Sequence, residues 1–216
     1  MSATAQAAPA STAPTLTGRG SRTRERIVEA AAELMFQKGV AGTSIPEVQE
    51  AAHASASQIY HYFGDKHGLV QAVIGFQIEA TLDDQRPLLD HLDSFEALRA
   101  WCDALAAVQE RRYCAGGCAV GSLASELVEG DDIHRAGLAA AFERWEKPIR
   151  DGLDRMRQRG ELVPEADVHD LATALLAAVQ GGSLLAQIHR TIRPFNAATE
   201  AVVAHVESFS AQPKRV

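Results

Sequence analysis

Apolar side chains recur every three or four residues from about Ser21 to near the end of the chain, and few β-branched residues alternate with polar ones. That period belongs to helices and not to strands, so the spacing predicts an all-α protein. Ser21 is placed to cap a first helix, whose apolar stripe runs through Ile27, Ala30, Ala31, Leu34 and Met35 and which Gly39 stops. Ser44-x-x-Glu47 is a capping box, in which the hydroxyl and the carboxylate each satisfy an exposed backbone N–H; it opens a short helix to about Ala52. Ser55 caps a third, short helix that turns Ile59 and Phe63 inward and leaves Ser57, Gln58, Tyr60 and His61 more exposed. Asp65 opens a long fourth helix through Leu69, Val70, Val73 and Phe76, ending near Pro87.

Breaks at Asp93, at 111–117, at Gly130-Asp131-Asp132, at 160–164 and at Pro194 leave room for five more helices. The clearest carries Leu138, Phe142, Trp145, Ile149, Leu153 and Met156 on one face. Residues 1–17 are mostly Ala, Ser, Thr and Pro without charge, which reads as a disordered tail because so little apolar surface cannot offset the entropy of ordering. The expected organisation is a tail at 1–17, a helix-turn-helix head at 18–67 and a larger helical body at 68–216.

Two short helices joined by about three residues match a helix-turn-helix, in which one helix braces across phosphates and the start of the next enters the major groove, where base edges are distinguishable. The candidate DNA-contacting residues are Thr43, Ser44, Ser55, Ala56, Ser57, Gln58, Tyr60, His61, Tyr62 and Lys66. Gln58 suits a base edge, while Tyr60, Tyr62 and Lys66 suit phosphates. Spacing alone fits equally well three surface helices with Tyr60 and Tyr62 as packing residues.

Composition is that of an ordinary globular protein, 46% hydrophobic and 23% charged. No apolar run approaches the roughly 20 residues of a bilayer span, and no signal-peptide pattern opens the chain, so a cytoplasmic protein without a membrane partner is expected. Three cysteines, Cys102, Cys114 and Cys118, are too few for a disulfide framework and read as reduced thiols. A net charge of −7 argues against a nucleic-acid partner until its distribution is considered. Between Gly18 and Lys66 six basic residues face six acidic ones, so the head is neutral and the deficit lies in the body.

Arg24 to Ile27, Ala30-Ala31-x-Glu33-Leu34, Gly39, Thr43-Ser44 and Tyr60-His61-Tyr62-Phe63 with Lys66 and Leu69 resemble the N-terminal signature of the TetR/AcrR repressor family. The resemblance implies an all-helical homodimer of nine or ten helices per subunit, with heads that bind a palindromic double-stranded operator and bodies that bind a small-molecule inducer. The turn departs from the family pattern. Where Ala-Gly-Val-Ser is usual, this chain has Ala52-His53-Ala54-Ser55, and histidine tolerates a left-handed backbone less well than glycine.

The stretch from Cys114 to Leu127 and that from Gln180 to Gln187 resemble the body of the LmrA and YxaF subgroup. This implies dimerisation through the last two long helices, about 167–191 and 194–210, where Gly181 and Gly182 permit close approach or a kink. An apolar pocket is then expected, lined by Phe76, Trp101, Leu105, Cys118, Phe142, Trp145, Gln180 and Leu184; for each aromatic, plain core packing is the rival reading.

Cys114 and Cys118, four residues apart and close to Arg111 and Arg112, invite a thiol-sensing role if one helix carries both. Zinc is not expected, because no second cysteine pair stands at ligand spacing and the eight histidines are scattered; His53, His61 and His67 fall in the head, where phosphate or solvent contact is simplest. No cofactor is implied. Glu126, Glu129, Asp131 and Asp132 are the acids an enzyme would use, but phosphate-loop, nucleophile-elbow and His-Glu-x-x-His motifs are absent, so catalysis is not expected.

Overall fold

The computed structural model describes residues 18–211; the tail expected at 1–17 lies outside them. Nine α-helices and one 3₁₀ turn, Leu88–His91, follow in chain order among the described residues. They are α1 Gly18–Lys38, α2 Ile45–Ala52, α3 Ala56–Phe63, α4 Lys66–Gln85, α5 Phe95–Arg111, α6 Ala119–Leu127, α7 Asp132–Gln158, α8 Val168–His189 and α9 Arg193–Ser208. The one extended contact among them is an isolated bridge between Leu162 and Ser210.

The caps read from sequence largely form. Ser44, Ser55 and Asp65 cap α2, α3 and α4 with their side chains. Ser21 is a correction: α1 starts at Gly18, so Ser21 lies inside it, its hydroxyl donating to the Glu25 carboxylate one turn on at 2.8 Å.

One apolar core runs through both parts. Ile27, Val48, Ile59 and Leu69 pin α1 to α4 together, and Trp101, Ile149, Leu153 and Met156 fill the body. A polar atom sits within the latter. Both indole N–H groups, of Trp101 on α5 and Trp145 on α7, donate at 3.0 Å to Oε1 of Gln85 at the end of α4, so one buried amide oxygen joins three helices.

Helices α8 and α9 pack against each other closely. A Cβ on Gly182 would lie 2.9 Å from Phe195 Cα, so glycine is needed there for close approach. The expectation that no segment is long and apolar enough to cross a bilayer is corrected by α8, whose 22 residues pass on length and composition. Leu171, Leu175 and Val179 bury one side of it in the bundle, which is how a core helix comes to be so apolar.

Candidate nucleic-acid interface and its link to the body

The turn between α2 and α3 is built as the helix-turn-helix reading requires. His53 closes α2 in the left-handed region, at φ 45° and ψ 48°, the conformation for which glycine is better suited. Arg26 of α1 donates through Nε to the Ala52 carbonyl at 2.7 Å, bracing the end of α2. Arg24 stacks over the Phe63 ring at 5.3 Å and holds α3 to α1. Neither arginine's role was visible in the linear pattern.

At the start of α3, Ser57, Tyr60 and His61 are exposed, Tyr60 at 51%, and Ala56 is half-buried beside them. Ser55 and Gln58 form a reciprocal box: the Gln58 N–H donates to Ser55 Oγ at 3.2 Å, and Gln58 Oε1 accepts from the Ser55 N–H at 2.9 Å. A base contact through that oxygen therefore requires the side chain to swing out of the box. Tyr62 is half-buried, its ring edge-on to Phe63 and His61, and serves packing.

Ser44 is exposed and engaged with Glu47. The Glu47 carboxyl is held down to about 2, chiefly by the Lys38 ammonium and then by the Ser44 hydroxyl and amide.

Two candidates are placed differently from expectation. Thr43 is 1% exposed, and its hydroxyl donates to the Gly39 carbonyl at 2.8 Å, so its side chain braces the turn after α1 and is turned away from the surface that would meet DNA. Lys66 is half-buried, and its ammonium donates to the Val40 carbonyl at 2.7 Å, which ties the start of α4 to the same turn.

That turn is also gripped from the body. Glu126, in the last turn of α6, accepts the Val40 N–H at 2.8 Å. Gly39, at φ 80°, makes room for it: a Cβ there would stand 2.9 Å from Glu126 Oε1. At the other end of α6, Gln180 of α8 lies against the first turn, where a Cβ on Gly121 would meet Gln180 Oε1 at 2.9 Å. Gln180 Nε2 is buried without a hydrogen-bond partner.

The candidate pocket residues fall into separate groups. Phe142 stacks on Trp145 at 6.3 Å, and Trp145 shares Gln85 with Trp101, so these three form one cluster. Cys118 and Gln180 meet at the start of α6, and Leu105 is half-buried against the core. Phe76 and Leu184 do not converge with either group: both are exposed, Leu184 at 56%, on outer faces of α4 and α8.

A cleft of about 270 Å³ lies elsewhere, between the head and body, with Val40, Lys66, His67, Glu126, Asp131 and His134 among its walls. Its histidines were not singled out as a group, because residues 67 and 134 are far apart in sequence.

The cysteines do not share a helix. Cys118 caps α6, its Sγ accepting from the Gly121 N–H at 3.4 Å, whereas Cys114 lies in the preceding loop at φ 51°. Burial pushes the Cys102 thiol up to about 12, which leaves it unreactive.

A helical chain whose short, capped second and third helices stand before a larger helical body has the architecture of a helix-turn-helix DNA-binding regulator. The profile described as "Bacterial regulatory proteins, tetR family" matches residues 27–73, and that described as "Tetracyclin repressor-like, C-terminal domain" matches residues 94–202, half of the chain. The protein belongs to the TetR family of transcriptional regulators.

Among its relatives are the HTH-type transcriptional repressor DhaR of Mycobacterium sp. (strain GP1), 26% identical over 80% of this chain and 86% of that protein, and the repressor ComR of Escherichia coli (strain K12), 26% identical over 76% and 79%. A TetR regulator from Chloroflexus aurantiacus superposes with a TM-score of 0.74 at 26% identity, covering 91% of this chain and all of the other. The regulatory protein TetR from Rhodobacter sphaeroides gives 0.70 at 24% identity, covering 85% and 98%, and supports the fold.

Proposed function

We propose that this protein is a cytoplasmic transcriptional repressor that binds a palindromic operator as a homodimer and is released by a small apolar or aromatic ligand. The head comprises 18–67 and the body 68–216. The observation that carries the reading is the capped α2–α3 pair with Ser57, Tyr60 and His61 outward on α3, locked to the body through Val40. Ser44, Ser55, Ala56 and Gln58 stand beside them for phosphate and base contacts, and the repressor relatives DhaR and ComR support the direction of control.

The dimer is supported by an uncovered stripe. Thr173, Ala177, Gly181, Leu184 and Ile188 are exposed at helical spacing along α8, and Ala197, Ala201 and Ala204 continue small and apolar along α9. Such a face is suited to a second copy of itself in a two-fold bundle.

Ligand binding is supported by Gln180, whose unpartnered Nε2 is available to a polar group on an otherwise apolar molecule. Helix α6 has Gln180 at one end and Glu126 at the other, so a ligand that displaces its first turn moves the clamp on Val40. Control requires only that the ligand bind better to the displaced state.

Selection of bound fragments from host genomic DNA tests the reading. A discrete palindrome, lost when Gln58 and Tyr60 are replaced by Ala, is expected; fragments without a common palindrome overturn it.

A further inference from the structure

The head–body cleft contains a group that the repressor reading does not use. His67 lies in the first turn of α4 and His134 in the first turn of α7, their rings stacked 5.2 Å apart with planes 3° from parallel. Asp131 caps α7: its Oδ1 accepts from the Ile133 N–H at 2.6 Å and the His134 N–H at 3.3 Å, while its Oδ2 lies 3.3 Å from His67 Nδ1. A ligating atom of each of the three residues lies within 4.8 Å of the others.

We propose that His67, Asp131 and His134 form a binding site for a divalent transition-metal ion of the zinc class, bridging head and body. The donor set is two imidazoles and one carboxylate, which suits borderline cations such as Zn²⁺, Co²⁺ and Ni²⁺. Calcium and magnesium need about six oxygen ligands, and copper(I) prefers sulfur, so neither matches. Three protein donors leave a fourth position, and the adjoining cleft of about 270 Å³ admits the water to fill it.

The geometry is near closure. Ligands at about 2.0–2.2 Å from a tetrahedral ion lie roughly 3.2–3.6 Å from each other, a separation already met by His67 Nδ1 and Asp131 Oδ2 at 3.3 Å. His134 is 4% exposed and its Nε2 lies 3.3 Å from the His67 carbonyl oxygen, a contact its ring gives up if that nitrogen turns to the ion.

Charge is favourable too. The Ile133 amide, above all, holds the Asp131 carboxyl below its ordinary range, so the cap is anionic at neutral pH. Of the cleft's other charged groups, Glu126 adds a negative charge and the Lys66 ammonium is held on the Val40 carbonyl.

Zinc titrated calorimetrically into the chelator-treated full chain tests the site. One ion per protomer is expected, binding at micromolar concentration or tighter, with a rise in melting temperature. His67→Ala removes a ligand whose side chain is 69% exposed, so the fold is kept, and weakens binding by about tenfold or more. His134→Gln does the same, its own melting curve separating ligand loss from unfolding. His91→Ala, an exposed histidine elsewhere, leaves binding unchanged.

Cobalt(II) should give visible ligand-field bands that His67→Ala abolishes. Absence of zinc binding to the unmodified chain, or equal affinity in His67→Ala, overturns the site. No DNA enters the measurement, so failure here and failure of the repressor reading are separable.

Discussion

Glu126 of α6 and Val40 of the turn after α1, 86 residues apart in sequence, are joined by a 2.8 Å bond from the Val40 amide to the carboxylate. With Lys66 on the Val40 carbonyl, both polar groups of one peptide position are held, one by the body and one by the start of α4. Removal of the carboxylate leaves the amide to find water.

Glu126→Ala is therefore expected to lower stability by about 1 kcal/mol, the scale of a partly solvated hydrogen bond, and to loosen the head relative to the body. Urea denaturation measures the first. Amide exchange at Val40, faster in the variant and unchanged in α8, checks the second.

His53 predicts a gain in stability. It is exposed, and at φ 45° it carries a backbone strain that glycine lacks. His53→Gly should raise the urea midpoint by about 0.5–1 kcal/mol in free energy, the relief of strain exceeding the extra entropy that glycine loses on folding. A lowered midpoint would show the imidazole to be stabilising.

Gln85 predicts a loss. Gln85→Leu keeps the volume roughly constant but strips two buried indole N–H groups of their acceptor, at about 1–3 kcal/mol each before relaxation. Trp101 and Trp145 are the only tryptophans of the chain, so the change is read directly in its fluorescence and denaturation midpoint.

Glu47 gives a pH dependence. Its folded-state pKa, about 2, is depressed from the ordinary 4.5, so its contribution is complete above about pH 4.5 and fades as pH falls towards 2. The melting-temperature gap between the unmodified chain and Glu47→Gln should be constant near neutrality and shrink across that window. A gap that persists at pH 2 would remove the carboxylate from the account.

The exposed α8 stripe predicts assembly. Leu184→Glu with Ile188→Glu places charge on a face open in the single subunit, leaving the fold intact and shifting a dimer to monomer in sedimentation. A dimer that survives both changes places the contact elsewhere.

Much was legible in the sequence because helices are local objects. The period of Ile27, Ala31 and Met35, the boxes at Ser44 and Ser55, and the breaks at Gly39 and Gly130 each depend on residues within a turn or two, so nine helices and a helix-turn-helix could be read along the chain. The left-handed turn at His53 was readable from the motif it departs from.

What a side chain faces was not local. Thr43 and Lys66 look like DNA contacts until the Gly39 and Val40 carbonyls take them, and Phe76 and Leu184 look inward until the packing turns them out. The Glu126 clamp, the Gln85 junction and the His67–Asp131–His134 cluster exist only because α4, α6 and α7 cross where they do. Periodicity specifies which face of a helix is apolar; only the close packing of several helices decides which polar groups meet there.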